Sequence, residues 1–428
     1  MEELTLLYQS YNAPLECPVT RTQQRGTEPA RSDSFSYNGR NELTAATLGA
    51  APYGYSYDNI GNRKTAREPA EELAYAANGL NQYTDIEESG EAPFVPTYDA
   101  SGNQTLIKTS TGVWTVVYNA ANRAVSFTSR NGNTIIECGY DYQGRRYMKK
   151  VTQNGTVASH ERYLYRGYLQ IAALDMLNSR NVLRTLLWDP LEPTATRPLA
   201  LAQDASLYCY GVDFNKNVTE VFDAQGAVAA TYDYSPYGQA ASTGDLVQPV
   251  QWSGEMHDED FALVYYNYRF YNPRDGRWIN RDPITEQGGW NLYAFLGNST
   301  QDKFDTFGLQ ALDSLSNTVI QGLAAGKISE VATLLGYSTA AALVAALTEG
   351  GYKLKCKACN PPVGSQRQQC HRNHTHNGWN PHYHIFTVNQ SPIVADCRCF
   401  DKRTTISNNH NYPEYTGRPT GGGIEVIK

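Results

Sequence analysis

Residues 57 to 63 read Tyr57-Asp58-Asn59-Ile60-Gly61-Asn62-Arg63. An aromatic residue, which packs well on a pleated surface, is followed by an acid whose side chain can bond back to the main chain. Three residues after that acid, a glycine permits the left-handed backbone that a tight turn needs before the next strand. The stretch therefore predicts a strand that ends in a hairpin turn.

The same element recurs along the first half of the chain. Clear copies begin at Tyr98, Tyr140 and Phe222, and weaker copies begin at Tyr37, Tyr75 and Tyr118. Since one hairpin cannot bury a face alone, successive hairpins are expected to stack side by side into a long, curling sheet. A β-propeller is the alternative architecture, but its blades would need a regular spacing of about 40 to 50 residues, which these copies lack.

The composition agrees with a mainly β protein. The 428 residues include 31 Tyr and 35 Gly but only 12 Phe and 4 Met, which favours twisted antiparallel strands and tight turns over helical packing. The chain does not open on a basic segment followed by an apolar one, and no apolar run reaches spanning length, so no stable membrane span is expected. The abrupt start within repeat-like sequence suggests that an upstream portion or a separate secretion apparatus directs export.

Charge and composition change after Leu309. Residues 310–428 carry 11 Lys and Arg and 7 Asp and Glu, a net charge of +4, so residues 1–309 carry −11. A mildly basic tail is compatible with a nucleic-acid substrate, although a solvated surface gives the same count. Tyr-Gly turns stop and apolar residues at helical spacing begin, which predicts helices over 311–324 and 328–349. We therefore expect a helical linker at 310–351 and a Cys/His-rich domain at 352–428.

The most specific signal is a series of motifs between residues 205 and 309. In order, they read Tyr232-Asp233-Tyr234-Ser235-Pro236-Tyr237-Gly238, Tyr268-Arg269-Phe270-Tyr271-Asn272-Pro273-Arg274-Asp275-Gly276-Arg277-Trp278, Arg281-Asp282-Pro283-Ile284 and Asp305-Thr306-Phe307-Gly308-Leu309. With the repeats, this series resembles the RHS/YD-repeat polymorphic toxin family, which is also seen in the Tc-toxin C component and in teneurins. The resemblance covers roughly residues 30 to 309.

The resemblance implies a spiralling antiparallel YD-repeat β shell followed by a small α+β C-terminal domain. It divides the shell into repeats at 1–204 and an RHS repeat-associated core at 205–309. In that family, the end of the core is similar to an aspartyl protease that cuts its own chain after the closing Gly-Leu, here after Leu309. The resemblance further implies that the freed tail is a toxin, that it is secreted or delivered to target cells, and that an immunity protein neutralises it in the producer.

Such a cut requires two carboxyl groups near one peptide bond, one ionised to activate water and one protonated to assist the leaving amine. Asp282 is the first choice for one carboxyl and Asp305 for the second, with Arg281 tuning their charge. Asp302 and Asp275 are alternatives. Both Asp282 and Asp305 also fit a purely structural role, because Asp before Pro or near Gly is ordinary turn chemistry.

Five of the eight cysteines lie within 44 residues of the tail. Cys356-x-x-Cys359 and Cys397-x-Cys399 have the short spacings by which four thiolates bind one structural zinc ion. Disulfides are the alternative, because an exported toxin crosses oxidising compartments in which paired cysteines persist. The three scattered cysteines, which we expect to be small buried hydrophobic residues, are Cys17, Cys138 and Cys209.

Six of the eight histidines also lie in the tail. His382 and His384 would emerge on one face of a strand predicted over 382–388, near His374 and His376 from the preceding loop. These histidines can act as an acid and base pair, or as ligands of a metal ion that keeps an open coordination position.

The tail lacks the His-x-Glu of zinc deaminases and the His-Glu-x-x-His of zincin proteases, so a His-based nuclease is the preferred hypothesis. The competing hypothesis is a non-enzymatic YD-repeat cell-surface or contact protein, with a zinc- or disulfide-stabilised binding tail.

Overall fold

The computed structural model describes residues 4–12, 17–190, 196–213, 215–305, 307–309 and 312–313, and six short strands between 353 and 427. The chain forms two compact units, Met1–Ser314 and Leu315–Lys428. The helices predicted over 311–324 and 328–349 lie outside the described residues.

The first unit is dominated by two antiparallel sheets in which each strand pairs with the strand before it in sequence. The first sheet contains β1 (Leu4–Asn12), β2 (Cys17–Arg25), β3 (Arg31–Tyr37), β4 (Leu43–Leu48), β5 (Ala51–Tyr57), β6 (Arg63–Glu68), β7 (Glu71–Ala77) and β8 (Tyr83–Glu88). The uninterrupted hairpin order is the one that the repeated turn element predicts.

The second sheet has fourteen strands in the same consecutive order. They are β9 (Thr97–Tyr98), β10 (Gln104–Thr109), β11 (Gly112–Tyr118), β12 (Ala124–Ser129), β13 (Thr134–Tyr140), β14 (Arg146–Gln153), β15 (Thr156–Arg166), β16 (Leu169–Asp175), β17 (Asn181–Trp188), β18 (Pro198–Gln203), β19 (Ser206–Val212), β20 (Val218–Asp223), β21 (Val228–Tyr234) and β22 (Ala240–Thr243).

A smaller set of elements follows these sheets. It comprises a 3-10 turn at Trp252–Gly254, the four-stranded sheet β23 (Met256–Asp258), β24 (Leu263–Tyr266), β25 (Arg269–Asn272) and β26 (Arg277–Trp278), 3-10 turns at Thr285–Gly288 and Leu296–Asn298, and the paired strands β27 (Lys303–Phe304) and β28 (Leu312–Asp313). The four-stranded sheet and the turns at Trp252–Gly254 and Leu296–Asn298 are largely buried, whereas the turn at Thr285–Gly288 is exposed. The four-stranded sheet is therefore the core on which the larger sheets pack.

The main hydrophobic core lies between one face of the second sheet and this four-stranded part. Phe127 and Ile136 pair across β12 and β13, and both are fully buried. The ring of Phe127 stacks on Phe261 at 4.2 Å and meets Phe270 edge-on at 5.5 Å. Because side chains alternate between the two faces of a strand, their neighbour Ile135 faces the other side and is exposed.

The turn chemistry is the one that the sequence predicts. In the first copy, Asp58 Oδ1 accepts hydrogen bonds from the backbone N–H groups of Ile60 at 3.0 Å and Asn62 at 2.8 Å. Gly61 has φ of +85°, a conformation that costs glycine little. In the weaker copies, Asn41, Asn81 and Asn122 take the left-handed position instead, as the short polar side chain of asparagine allows.

Tyrosines at the strand ends join neighbouring hairpins. Each donates its hydroxyl to a backbone carbonyl in the preceding hairpin: Tyr57 to Leu43, Tyr118 to Gln104, Tyr140 to Ala124, Tyr165 to Arg146 and Tyr234 to Val218, at 2.6 to 2.9 Å. A buried phenol needs such a partner. The repeated tyrosine is therefore a link between successive repeats as well as a packing residue.

The two ends of the strand series contact each other. Arg25 at the end of β2 lies 2.5 Å from Glu220 on β20, and Arg31 on β3 lies 2.9 Å from Asp233 on β21. The sheets thus curl until their ends meet, which confirms the predicted curling arrangement of antiparallel hairpins. The two sheets, β1 to β22, are together called the wall.

Two of the three scattered cysteines follow the prediction, since Cys17 and Cys138 are buried. The third prediction was wrong, because Cys209 is exposed. Tyr208 and Tyr210 on either side of it pack against the core, so the side chain of Cys209 falls on the opposite face of β19.

In the second unit, the described residues form three strand pairs. β29 (Lys353–Cys356) pairs with β34 (Ile424–Ile427), β30 (Cys370–His371) runs parallel to β31 (Tyr383–His384), and β32 (Arg398–Phe400) pairs with β33 (Pro419–Gly422). Within the part of the chain that the structure describes, no helix has the length and hydropathy that crossing a bilayer requires.

Candidate active site

One buried arginine joins both predicted carboxyl groups. Arg269 opens β25 and is 4% exposed. Its Nη2 lies 2.9 Å from Asp282 Oδ2 and 3.9 Å from Asp305 Oδ2. Its Nε donates a hydrogen bond of 2.5 Å to the carbonyl oxygen of Gly308. A single guanidinium therefore connects the two acids and the backbone just before Leu309.

The position of Arg269 is fixed by the turn that precedes it and by an aromatic ring. Asn267 adopts a left-handed φ of +55° between β24 and β25, and the guanidinium carbon lies 4.0 Å from the ring centre of Trp278. Burial lowers the pKa of Arg269 to about 10, against the attraction of Asp282 and Asp305. The guanidinium therefore keeps its positive charge at neutral pH.

Asp305 shapes the segment that contains the predicted cut. Its Oδ1 accepts hydrogen bonds from the backbone N–H groups of Phe307 at 3.0 Å, Gly308 at 2.8 Å and Leu309 at 3.3 Å. Burial raises the pKa of Asp305, while Arg269 and these three N–H groups oppose the rise. Asp305 therefore both forms the turn through Phe307, Gly308 and Leu309 and lies beside Arg269.

Asp282 lies between this segment and an open cavity. Its Oδ1 accepts a hydrogen bond of 2.9 Å from the N–H of Ile284, which leaves Oδ2 facing Arg269. Burial raises the pKa of Asp282, and Arg269 lowers it in part. Asp282, Arg123 and Tyr268 line a cavity of about 260 Å³. This volume is ample for water molecules, so water can reach the carboxyl group.

Gly288 lies next to both Asp282 and the carbonyl group of Leu309, and it has no side chain that would keep them apart. A Cβ atom built on Gly288 would lie 2.4 Å from Asp282 Oδ2 and 3.2 Å from the carbonyl oxygen of Leu309. The carboxyl group and this carbonyl therefore border the same small space. Gly308 is needed for a different reason, because it has φ of +73° and a Cβ there would lie 2.9 Å from the carbonyl oxygen of Tyr266.

Arg281 lines the same cavity as Asp282, but the described ion pairs of Asp282 and Asp305 are with Arg269. Arg281 is exposed, and its Cδ approaches the position that a Cβ on Gly102 would occupy, next to the hydroxyl of Tyr293. Among the described residues, the arginine that contacts both carboxyl groups is Arg269, which the sequence analysis missed. The available signal was an arginine inside the aromatic-rich stretch from Tyr265 to Tyr271.

The two alternative acids lie elsewhere. Asp275 accepts a hydrogen bond of 3.0 Å from Asn272 Nδ2 within the turn before β26. Asp302 accepts hydrogen bonds from the hydroxyl of Ser299 at 2.5 Å and the thiol of Cys17 at 3.6 Å. Neither has a described ion pair with Arg269, so the structure brings together Asp282 and Asp305 and leaves Asp275 and Asp302 apart.

Most candidate residues of the tail lie outside the described residues, namely Cys359, His374, His376, His382 and Cys397. Cys356, His384 and Cys399 lie on β29, β31 and β32. The parallel register of β30 and β31 places His371 opposite His384, a pairing that sequence spacing does not predict. The histidine and zinc assignments remain predictions.

Comparison of the sequence with known proteins gives three findings. The sequence model described as Teneurin YD-shell matches residues 16–299. The tRNA3(Ser)-specific nuclease WapA of Bacillus spizizenii is 26% identical over 258 residues, which are 57% of this chain and 10% of that protein. The toxin protein Tse5 of Pseudomonas aeruginosa is 26% identical over 328 residues, which are 62% of this chain and 24% of that protein. The chain thus spans about a tenth to a quarter of the length of these relatives.

A solved structure has the same fold. The crystal structure of TcdB2-TccC3-TEV matches 72% of this chain and 18% of that chain, with a TM-score of 0.52 and 18% sequence identity. This likeness extends to the arrangement of the strands and no further.

Proposed function

The chain belongs to the teneurin YD-shell family, and from that premise we propose that it is the end of a polymorphic toxin shell that cuts itself after Leu309 and releases a C-terminal effector. The observation that carries the proposal is the approach of Asp282 and the Leu309 carbonyl to the same side of Gly288. Arg269 holds Asp282 and the neighbouring Gly308 carbonyl with one side chain.

The proposed reaction is hydrolysis of the peptide bond between Leu309 and Gln310. Asp282 is held ionised by Arg269 and takes a proton from a water molecule in the adjoining cavity. The resulting hydroxide attacks the carbonyl carbon of Leu309. Asp305 supplies a proton to the departing nitrogen of Gln310, so a carboxylic acid and an amine are the products.

The environments of the two acids support these different roles. Asp282 has the shorter contact with Arg269, 2.9 Å against 3.9 Å for Asp305, and it lines the cavity. Asp305 is 2% exposed against 7% for Asp282, and this burial raises the pKa of Asp305 against the opposing effects of Arg269 and three backbone donors, so we assign the proton to Asp305. Two nearby carboxyl groups in unlike environments titrate at different pH, which is what acid and base roles require.

Expression of the whole chain tests the cut. Intact mass should be replaced by two fragments that end at Leu309 and begin at Gln310, and Asp282→Asn should leave the chain whole. Asp302→Asn is the matched control and should still be cut, because Asp302 lies with Ser299 and Cys17. A wild-type chain that stays intact, or an Asp282→Asn chain that is cut as well as wild type, contradicts the proposal.

For the tail, we propose a His-based nuclease that is delivered to target cells and neutralised by an immunity protein in the producer. The support is the histidine cluster, the net charge of +4 over residues 310–428, and a relative that is named a tRNA-specific nuclease. Expression of the whole chain inside a bacterium should arrest growth and degrade cellular RNA or DNA. His384→Ala and Asp282→Asn should each restore growth, the first by removing the chemistry and the second by retaining the tail.

The competing function is a contact protein whose tail is a non-enzymatic binding module. Harmless expression of a chain that is fully cut would favour it. In both cases we propose that Cys356, Cys359, Cys397 and Cys399 bind one structural zinc ion. One equivalent of zinc in the purified chain, lost in Cys356→Ser, is the expected result, whereas absence of zinc together with absence of free thiols in the tail would indicate disulfides.

A further inference from the structure

A tyrosine of the curling wall contacts the segment that carries the proposed cut. Tyr168 occupies the tip of the hairpin between β15 and β16. Its ring lies 5.1 Å from the ring of Phe307, edge-on at 63°. Its hydroxyl is 2.7 Å from the hydroxyl of Tyr268, and the backbone N–H of Tyr268 donates a hydrogen bond of 3.0 Å to the carbonyl oxygen of Phe307. Tyr168 thus reaches Phe307 both directly and through Tyr268.

Two neighbouring hairpin turns on the same edge of the sheet support this arrangement. Arg145, in the turn between β13 and β14, donates a hydrogen bond of 2.5 Å to the carbonyl oxygen of Gly167, directly before Tyr168. Arg123, in the turn between β11 and β12, donates to the carbonyl oxygens of Asn267 at 3.0 Å and Tyr268 at 2.7 Å. Three successive turns of the wall therefore hold Tyr168 and Tyr268, the two residues that contact Phe307.

The phenol pair lies close enough to the proposed chemistry to affect its geometry. Phe307 is two residues before Leu309, and Gly308 between them donates its N–H to Asp305 and accepts from Arg269. A change in the position of the Phe307 backbone would displace both of these contacts of Gly308. Misplacement of reacting groups by about 1 Å can slow a reaction on the order of a hundredfold.

We propose that Tyr168 is a positioning residue for the cut: it fixes Phe307, and through Phe307 the Leu309 carbonyl beside Asp282, so that the chain is cut only after the hairpins around Tyr168 have folded. This inference rests on the proposed self-cleavage, and it adds a dependence of the reaction on assembly of the wall. Tyr168 touches none of the reacting atoms.

The first test measures the rate of cleavage as denatured full-length chain refolds. Tyr168→Ala should slow the cut roughly a hundredfold. Tyr168→Phe keeps the ring on Phe307 and loses only the hydroxyl contact, so it should slow the cut about three- to tenfold. Tyr142→Ala is the matched control, because Tyr142 lies on the adjacent turn, is 91% exposed and should leave the rate within about twofold.

A double-mutant cycle separates positioning from general destabilisation. If Tyr168 acts through the hydroxyl of Tyr268, the chain with both Tyr168→Phe and Tyr268→Phe should be cut as slowly as either single variant. Effects that simply multiply, or a Tyr168→Phe variant as slow as Tyr168→Ala, would overturn the assignment.

The second test does not require cleavage. In chains with Asp282→Asn, amide hydrogen exchange is measured at Phe307, Gly308 and Leu309, the three donors to Asp305. Adding Tyr168→Ala should accelerate exchange at these amides at least about tenfold, and adding Tyr142→Ala should not. Unchanged exchange in the Tyr168→Ala chain refutes the positioning role. A wild-type chain that is never cut refutes only the proposed self-cleavage, since the exchange result still decides whether Tyr168 holds the segment.

Discussion

Arg269 Nε donates a hydrogen bond of 2.5 Å to the carbonyl oxygen of Gly308, and the opposite end of the same guanidinium lies 2.9 Å from Asp282. The position of the proposed base relative to the backbone at Gly308, next to the bond that is cut, is therefore set by one rigid, planar group. Lysine has a flexible stem and a single charged nitrogen, so it cannot make both contacts in this geometry.

We predict that Arg269→Lys reduces the rate of self-cleavage at least about a hundredfold. Loss of the guanidinium releases the Gly308 carbonyl and leaves two buried acids with a poorly placed cation. The matched control is Arg281→Lys, which should be cut at a rate within about threefold of wild type because Arg281 is exposed. A chain in which Arg281→Lys is the slower variant would restore the role that the sequence suggests for Arg281. Rates are read from intact mass during refolding.

Gly288→Ala should prevent the cut while leaving the fold unchanged. The added methyl group would lie 2.4 Å from Asp282 Oδ2 and 3.2 Å from the Leu309 carbonyl oxygen, so it would force the two apart. Gly288 is exposed and needs no left-handed backbone, so alanine can be accommodated. Gly79→Ala, which meets no atom within 4 Å, is the control and should be cut normally. Normal cleavage in the Gly288→Ala chain would contradict the proposed approach of Asp282.

Asp275 makes the stability of the first unit depend on pH. Burial raises the pKa of Asp275 to about 6, against the attraction of Arg274, Arg63 and Arg277. Because the folded pKa lies above the unfolded one, the stabilising contribution is complete below about pH 4 and is lost as the pH rises through about 6. Relative to Asp275→Asn, the wild-type chain should lose about 3 kcal/mol of unfolding free energy between these limits.

Denaturant unfolding in buffers across this range measures the difference, and the exposed Asp245→Asn is the control. A difference between wild type and Asp275→Asn that stays constant with pH would show that Asp275 titrates normally.

The contact between the two ends of the strand series should contribute measurably to stability. Glu220 has a side chain that is 3% exposed, and Arg25 lies 2.5 Å from it. Arg25→Met should therefore cost about 3 kcal/mol of unfolding free energy, because a buried acid loses its cation. Arg67→Met removes an ion pair to Glu72 in which both side chains are more than half exposed, and it should cost less than about 1 kcal/mol. Equal losses of unfolding free energy in the two variants would mean that the contact of Arg25 with Glu220 stabilises the fold no more than an exposed ion pair does.

Sequence reasoning predicts the wall well because its determinants are local. The bonds of Asp58 to Ile60 and Asn62, and the left-handed Gly61, all lie within five residues. The burial of Cys209 was predicted wrongly for an equally local reason. Tyr208 and Tyr210 face the core, so the residue between them on β19 faces away from it.

The site is harder to predict because its determinants are distant in sequence. Asp282 and Asp305 are predicted from their motifs, whereas Arg269 and Gly288 come close to them only through the fold. The positions of Arg269 and Asp282 in the sequence do not reveal that their side chains lie 2.9 Å apart in the fold. For Tyr168, whose partner Phe307 lies on another element, a lone aromatic residue at a hairpin tip gives no such signal at all.

The tyrosine hydroxyls that reach back to the preceding hairpin have a mechanical consequence. Each of these bonds spans only one neighbour, as in Tyr140 to Ala124 and Tyr165 to Arg146, so no single repeat bears the load of the others. Within this series of bonds, the loss of one hairpin removes the hydroxyl partner of its next neighbour alone and leaves the other tyrosine bonds in place.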